Sequence, residues 1–311
     1  MTTVKFEGEM CKEIDVSVVI PTYSRNESLS RAIDSVLQQT YQKIEVIVVD
    51  DNPPDSEWRK NSELIMKRYK NNKKIRYIQN PRNLGGSAAR NVGVKEAIGE
   101  YVAFLDDDDE YLPERIEKQL SVFRESSNEK LALVYCHAKF INKDGGSTYS
   151  DKRNFHGNCL YEAMEQNCIA ATSQWMVKKV ALDSVGGFPI VPCKQDSQTI
   201  LRLLKKGYEV EVVPEELSLY YLCDIGDRIS GTSAKNIKGE ELYRTECRKL
   251  YYLLEDWQIL NVEYQFAQRF YALYKANHLV AQSAHEWEIM RKLNCKAAYI
   301  YRLKEIWHLL R

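Results

Sequence analysis

Apolar residues in the first hundred positions fall into two rhythms. Val16-Ser17-Val18-Val19-Ile20 is a β-branched run stopped by Pro21, and Ile44 to Val49 is a second, ended by Asp50-Asp51-Asn52-Pro53-Pro54. Ile75 to Ile78 is a third, closed by Asn80-Pro81, and Glu100 to Leu105 a fourth, running straight into Asp106-Asp107-Asp108-Asp109. Short apolar runs bounded by breakers read as buried strands. Between them the spacing becomes helical. Asn26 to Gln39 carries Leu29, Ile33, Val36 and Leu37; Ser56 to Tyr69 reads as a helix, and Gly85 to Ile98 as a helix rich in small residues. Strands alternating with helices predict an α/β fold with a mostly parallel central sheet flanked by helices. Ligands of such sheets bind beyond the carboxyl ends of the strands. Three polar clusters sit at those ends, Thr22-Tyr23-Ser24, Asp50-Asp51-Asn52 and Asp106 to Asp109, so the pattern alone points to one site.

Beyond residue 130 the pattern changes. Leu131 to Ile141 reads as a longer strand, Asp144-Gly145-Gly146 as a turn, Gly186-Gly187-Phe188-Pro189 as a loop, Ser197 to Lys205 as a helix and Tyr208 to Val213 as a strand. From about Gly239 onward Gly and Pro almost vanish, which predicts two or three helices in a C-terminal helical appendage. The 311 residues suffice for one large α/β domain with such an appendage, and a chain of this size needs neither disulfides nor a metal to hold its core. Lys plus Arg number 44 and Asp plus Glu 44, so no basic excess argues for a nucleic-acid partner. The eight cysteines form no Cys-x-x-Cys pair, which fits scattered thiols in a reducing cytoplasm. Neither a secretory signal nor an apolar run long enough to span a bilayer is expected.

Four adjacent carboxylates repel one another, and at a strand end they are costly unless a cation offsets them. Mg²⁺ or Mn²⁺ would serve, because these hard ions take oxygen ligands and share their sphere with substrate phosphates. A solvated acidic turn is the bland alternative; the apolar strand just before the run favours the metal. Asp50-Asp51 can accept from a base N–H or a ribose hydroxyl, or act as a plain turn or cap. Asn83 to Asn91 is a Gly-rich turn opening a helix, where an anion is favoured and Arg90 can pair with a phosphate. Its small residues serve helix–sheet packing equally well. Asp196, just before an apolar helix, is either an N-cap or a general base, and the sequence leaves both open. The five histidines have no metal spacing and no nucleophile elbow is present, which argues against a hydrolase triad.

Together these segments resemble family 2 of the glycosyltransferases, of the bacterial surface-polysaccharide type, with the Rossmann-like GT-A fold. The matching stretches are Val16 to Arg25, Val48 to Asp51, Asn83 to Gly93, Gly99 to Asp109, Pro113-Glu114-Arg115, Gly186-Gly187-Phe188 and Gln195-Asp196 through Leu203. They span about residues 14 to 230. The resemblance implies a GT-A domain over 1–230, with a nucleotide-binding half at about 14–113 and an acceptor half at about 114–230, and a C-terminal helical region over 231–311. It implies that Pro21, Tyr23 and Asp51 line the nucleotide pocket. Asp106-x-Asp108 would be the DxD motif, with Asp108 and Asp106 on the metal and Asp106 or Asp107 facing the ribose or donor sugar. Asp196 would be the base. Arg228-Ile229-Ser230 resembles a loop that closes over the diphosphate. The reaction implied is an inverting transfer from a nucleotide-diphosphate sugar, UDP-linked, to a hydroxyl of a glycan or lipid-linked acceptor. Two departures stand out: Gln195 where the family usually has Glu, and Asp107 where the residue inside the motif is usually small. The rivals are a nucleotidyltransferase of similar fold, for which Thr22 to Asn26 lacks a Gly-rich basic signature, and a non-catalytic sugar-binding protein, against which the aspartate run argues.

Residues 291–311 carry six basic residues against one acidic, a net +5, with Tyr299, Ile300, Leu303, Ile306, Trp307 and Leu310 at roughly helical spacing. Such a helix either makes a peripheral contact with the anionic inner face of a membrane or packs its apolar face on the core or on a second subunit in a homo-oligomer.

Overall fold

In the computed structural model, strands β1 (Val16–Thr22), β2 (Ile44–Asp50), β3 (Ile75–Gln79) and β4 (Tyr101–Phe104) alternate with helices α1 (Ser28–Leu37), α2 (Glu57–Lys67) and α3 (Gly86–Glu96). The structure describes residues 14–25, 28–142, 145–166, 169–222 and 234–309, with side chains through 304. β2 and β4 flank β1, and β3 lies outside β2, all in parallel. This is the half in which the hydrophobic rhythm was unbroken. The second half begins with β5 (Glu110–Tyr111), α4 (Arg115–Glu125), β6 (Leu131–Ile141), β7 (Ser147–Asp151) and α5 (Leu160–Gln166). It continues through β8 (Trp175–Lys178), α6 (Lys179–Ser184), α7 (Gln195–Lys205) and β9 (Glu209–Tyr221). One sheet runs β3-β2-β1-β4-β8-β6-β9-β5, with β7 paired to β6. Beyond β4 it is mixed, since β8 runs antiparallel to both β4 and β6 while β9 is parallel to β6.

Alternation along each strand divides the core. Val19, Ile47, Val49, Val102 and Phe104 face one layer with α3, α5 and α7. Val18, Ile20, Val46, Val48 and Ala103 face the other with α1, α2 and α4. Side chains of period two on a sheet buried on both sides require this division. α3 sits so close to β1 that a Cβ on Gly93 would lie 2.3 Å from a Val19 methyl, so a small residue is needed there.

β9 runs through Pro214 to residue 221, well past the expected end at Val213. The register against β6 shifts from Cys136↔Val213 to His137↔Glu216, so Pro214 and Glu215 loop out of the ladder. A bulge is where a strand tolerates a proline.

The boundary expected near residue 230 falls outside the described residues. Past it come α8 (Ala234–Arg248), α9 (Asp256–Ala276), α10 (Val280–Leu293) and α11 (Cys295–Leu309), one more than the largest number expected. The extra break is at Asn294, whose side chain accepts from the Ala297 amide at 3.1 Å and starts α11. α8 and α9 join the main core through Tyr243, Cys247, Val262, Phe266 and Phe270, whereas α10 and α11 pack on α9 in a small separate cluster. Among the described residues no helix is long and apolar enough to cross a membrane, and five cysteines are free thiols.

Glu263 of α9 ties α8 to this region. Its carboxylate accepts from Arg248 Nε at 2.6 Å, from Tyr251 Oη at 2.7 Å and from Arg244. Burial opposes its charge, but the hydrogen bonds from Arg248, Arg244 and Tyr251 outweigh it and hold the carboxyl down at about 2. A depressed carboxyl stabilises the fold fully above its unfolded pKa of about 4.3 and loses that contribution as pH falls through the folded value. Glu263→Gln is therefore expected to cost about 1–3 kcal/mol at pH 7. In thermal denaturation the gap between variant and parent should narrow below pH 4 and close near pH 2.

Candidate functional site

Because β1, β2 and β4 are adjacent and parallel, Thr22, Asp50-Asp51 and Asp106 leave the sheet along one edge. Along Asp106–Asp109 the backbone alternates. Asp106 and Asp108 turn outward, with side chains 34% and 23% exposed, while Asp107 and Asp109 are buried. Three arginines from three elements meet this charge. Arg90 of α3 pairs with Asp106. Arg25, just after β1, reaches Asp108 at 2.6 Å and Asp107 at 3.4 Å. Arg31 of α1 donates to the Asp108 carbonyl at 2.6 Å and lies over the Tyr221 ring, 3.8 Å from its centroid.

The buried pair is electrostatically distinct from the outward pair. Burial pushes the Asp107 carboxyl up to about 7; the Thr22 hydroxyl, donating at 2.6 Å, opposes this and the Asp108 charge reinforces it. Asp109 is pushed well above the usual carboxylate range by burial, then by Asp106 and Asp108. Its Oδ2, the Tyr220 hydroxyl and the Arg115 Nε are all buried, and the Asp109 charge acts on both Tyr220 and Arg115. Burial works against the charge on Arg90, but Asp106 outweighs it and Asp196 adds to the effect, so the guanidinium stays above its ordinary value.

Asp196 is thus within electrostatic reach of Arg90, and also of Tyr220. The structure decides between its two sequence readings to this extent: Lys194, in a left-handed conformation with φ 65°, is the N-cap of α7. Asp196 lies in the first turn, its Oδ1 accepting from the Ser197 amide at 2.7 Å. The loop before it is held by α8. Lys194 Nζ is 3.2 Å from Glu240, which Arg269 of α9 also grips at 2.6 Å.

The other predicted residues also lie along this edge. Pro21 is half-buried and Tyr23 exposed at the end of β1. Asp51 is buried, and its carboxylate accepts from Asn80 Nδ2 at 2.8 Å and from the amides of Leu84 and Gly85 at 2.9 and 2.8 Å. The anion at the amino end of α3 is therefore Asp51 itself, and the partner of Arg90 is a carboxylate. Asp107 ties the end of β4 to Thr22 and the Tyr23 amide. Arg228 lies outside the described residues.

Several site residues escaped the sequence reading. Arg25 and Arg31 stand beside a polar cluster that was noticed, and their charge next to four aspartates was the available signal. The Ser173 hydroxyl oxygen accepts from the Asp106 amide at 3.0 Å, and Tyr220 comes from the far end of β9; neither has a local signature. Asn91 clamps the loop after α6. Its Oδ1 accepts from the Phe188 amide and its Nδ2 donates to the Phe188 carbonyl, both at 2.8 Å. A Cβ on Gly187, at φ 67°, would lie 2.6 Å from that Oδ1. Phe188 in turn packs edge-on against Phe104 and beneath Arg90.

Asp106 and Asp108 form a hard-oxygen pair of the kind that suits Mg²⁺ or Mn²⁺, which bind through one or two carboxylates and complete their sphere with water and substrate phosphates. Among the described residues no three His, Cys, Asp or Glu side chains converge on one point, so a third ligand would come from such a phosphate or from water.

A parallel nucleotide-binding-type half, a mixed second half and an acidic rim at their junction define a GT-A-type group-transfer fold. The chain belongs to glycosyl transferase family 2, whose model matches residues 17–186. It is 31% identical over 240 residues to an uncharacterized glycosyltransferase of Methanocaldococcus jannaschii, covering 76% of this chain and 78% of that one. It is 29% identical over 243 residues to TuaG of Bacillus subtilis, named as a teichuronic acid biosynthesis glycosyltransferase, covering 78% of this chain and 92% of that one. The fold is shared with the crystal structure of S. aureus TarS 1-349 in complex with UDP-GlcNAc. There the TM-score is 0.63 at 17% identity, over 94% of this chain and 92% of that one.

Because Asn91 satisfies both backbone groups of Phe188, Asn91→Ala is expected to lower stability by about 1–3 kcal/mol. A shifted midpoint of urea unfolding at unchanged slope checks it.

Proposed function

We propose that this protein is an inverting glycosyltransferase of cell-surface polysaccharide synthesis. It moves a sugar from a UDP-linked donor to a hydroxyl of a glycan or lipid-linked acceptor. The observation that carries this is the outward Asp106–Asp108 pair beside Arg90, with Asp196 in electrostatic reach of the same guanidinium. The role named for TuaG and the ligand of the TarS structure support the substrate class.

In this reading Pro21, Tyr23 and Asp51 flank the nucleotide. Asp108 and Asp106 would hold Mg²⁺ or Mn²⁺, which when bound would offset negative charge developing on the leaving diphosphate. Arg25 and Arg90, which face those carboxylates, would turn donors to the phosphates, where bidentate pairing is favourable. Asp196 takes the proton of the acceptor hydroxyl. The hydroxyl oxygen bonds to the anomeric carbon from the face opposite the diphosphate. The bond from that carbon to the diphosphate oxygen breaks, and its electron pair leaves with the nucleoside diphosphate. Neutral Gln195 beside Asp196 adds no like charge to the base.

The C-terminal helix bears on where this happens. α11 packs through Ala297, Ala298 and Tyr301, while Tyr299, Ile300 and Leu303 are exposed among Lys296, Arg302 and Lys304. An apolar strip with basic flanks suits an anionic lipid surface, which would bring the enzyme to the inner face of the membrane.

With donor and Mn²⁺, the protein is expected to release nucleoside diphosphate and no pyrophosphate. Asp108→Ala should abolish release, and Asp196→Asn should slow transfer about 10²–10⁴-fold while the donor still raises thermal stability. Full activity in Asp108→Ala would sink the proposal. In co-sedimentation, the parent should pellet with phosphatidylglycerol vesicles and not with phosphatidylcholine ones, and the Ile300→Glu/Leu303→Glu variant should stay in the supernatant. A parent that ignores phosphatidylglycerol would refute the membrane contact.

A further inference from the structure

One row of three aromatic side chains crosses the second half of the sheet. Tyr149 of β7, Phe140 of β6 and Tyr220 of β9 are direct cross-strand partners. Tyr149 stacks on Phe140 with centroids 4.1 Å apart and planes at 10°, and Phe140 on Tyr220 at 5.1 Å and 22°. The row starts at the surface, where Tyr149 is 57% exposed. It ends at the reacting edge, where the buried Tyr220 hydroxyl feels the charges of Asp109, Asp106 and Asp196.

Beside the outer two rings lies a pocket of about 430 Å³, lined by Phe140, Tyr149, Ser150, Asp151, Arg153 and Gln174 among others. Gln174 belongs to the short turn whose neighbouring Ser173 hydroxyl holds the Asp106 amide. The pocket is thus linked to the carboxylate rim by one turn, through Gln174 and Ser173, and by one ring, through Phe140 stacked on Tyr220. Its charges are already paired. Arg153 Nε donates to Asp151 at 2.8 Å, and Lys152 reaches Glu216 at 3.1 Å.

We infer that this pocket is an acceptor subsite, taking a neutral pyranose unit of a glycan next to the one that receives the new sugar. A pyranose offers a C–H face that packs on an aromatic ring and a hydroxyl rim that seeks polar partners. The pocket offers both surfaces, aromatic on one side and Ser150, Asp151, Arg153 and Gln174 on the other. Such pockets combine apolar walls with a few convergent polar groups. A carboxylated unit is disfavoured, because the pocket has no cation without a carboxylate partner and the rim beyond it is acidic. The inference rests on the transferase reading for its purpose, but its test needs no transfer.

Saturation-transfer NMR on the full chain, with and without UDP and Mn²⁺, would be run on chitotriose, maltotriose, cellotriose and trigalacturonic acid. At least one neutral trisaccharide should receive saturation, and trigalacturonic acid should not. The signal should fall at least fivefold in Tyr149→Ala and persist in Tyr149→Phe, which keeps the ring. It should also persist in Asp108→Ala, which removes donor chemistry and leaves this pocket intact. Tyr149 is exposed, so folding of the variants is expected to be normal, and their circular dichroism and Tm would be compared with the parent. The inference is overturned if no neutral trisaccharide binds, if only the acidic one binds, or if Tyr149→Ala binds as the parent does. Loss of nucleoside diphosphate release without loss of this binding would strike the transferase reading and not the subsite.

Discussion

The pairing of arginines with the aspartates at the end of β4 is the constraint on which the site depends. Four consecutive carboxylates on one rim would repel each other strongly if all were ionised and unpaired. The chain meets this in two ways. It buries Asp107 and Asp109, whose protons are then held more tightly, and it brings cations to Asp106 and Asp108. The cations arrive from the loop after β1 and from α3, with Arg31 of α1 on the Asp108 carbonyl, so neutralising the rim also fixes three elements against β4. Of these groups the Arg90 guanidinium is the buried one, so removing Asp106 would leave a buried charge uncompensated, which costs more than the pair itself contributes.

That arrangement has to be held open on both sides. On one side, Asp51 spends its carboxylate on the turn that starts α3, which sets where Arg90 emerges. Asn91, one residue on, then fixes Phe188 beneath the Arg90 guanidinium. On the other side, Glu240 of α8 grips Lys194, and a Cβ on Gly239 would lie 2.0 Å from the Cys193 sulfur. The helices after residue 234 are therefore part of the support for Asp196. A helical segment that looks like an appendage in composition acts here as a buttress for the loop carrying the proposed base.

The parallel half of the fold was legible because its signal is local. Apolar runs ended by Pro21, Pro53 and Pro81 can be read without knowing their neighbours, and the polar clusters following them mark the ligand edge. The carboxylate run could be singled out for the same reason. What could not be read depends on contacts across the sheet. The bulge that admits Pro214 into β9 exists only because β6 shifts register beside it. Ser173 matters through its bond to Asp106, 67 positions away in sequence, and Tyr220 through strands that meet only in the folded chain. Asn294 divides the last helices with a side-chain bond that composition does not distinguish from a residue within a helix.

The two halves of the molecule solve opposite problems at one edge. In the proposed reaction the donor side would stabilise a diphosphate, and it is there that arginines and carboxylates gather. The proposed acceptor side would admit a hydroxyl without bringing a further anion near Asp106, Asp109 and Asp196, and there the surface carries aromatic rings with Arg153 paired to Asp151 and Lys152 to Glu216. Tyr220 belongs to both, with its ring against Phe140 and its hydroxyl among the carboxylates. A ring at that junction would keep the proposed acceptor path apolar up to the last residue before the charges begin. An acidic group there would extend the repulsion of the rim into the path, and a basic one would compete with Arg90 for Asp106. On the proposed acceptor reading, the aromatic row is the physical complement of the arginine–aspartate rim, since it would let an acceptor approach a strongly charged edge without disturbing the balance that holds the edge together.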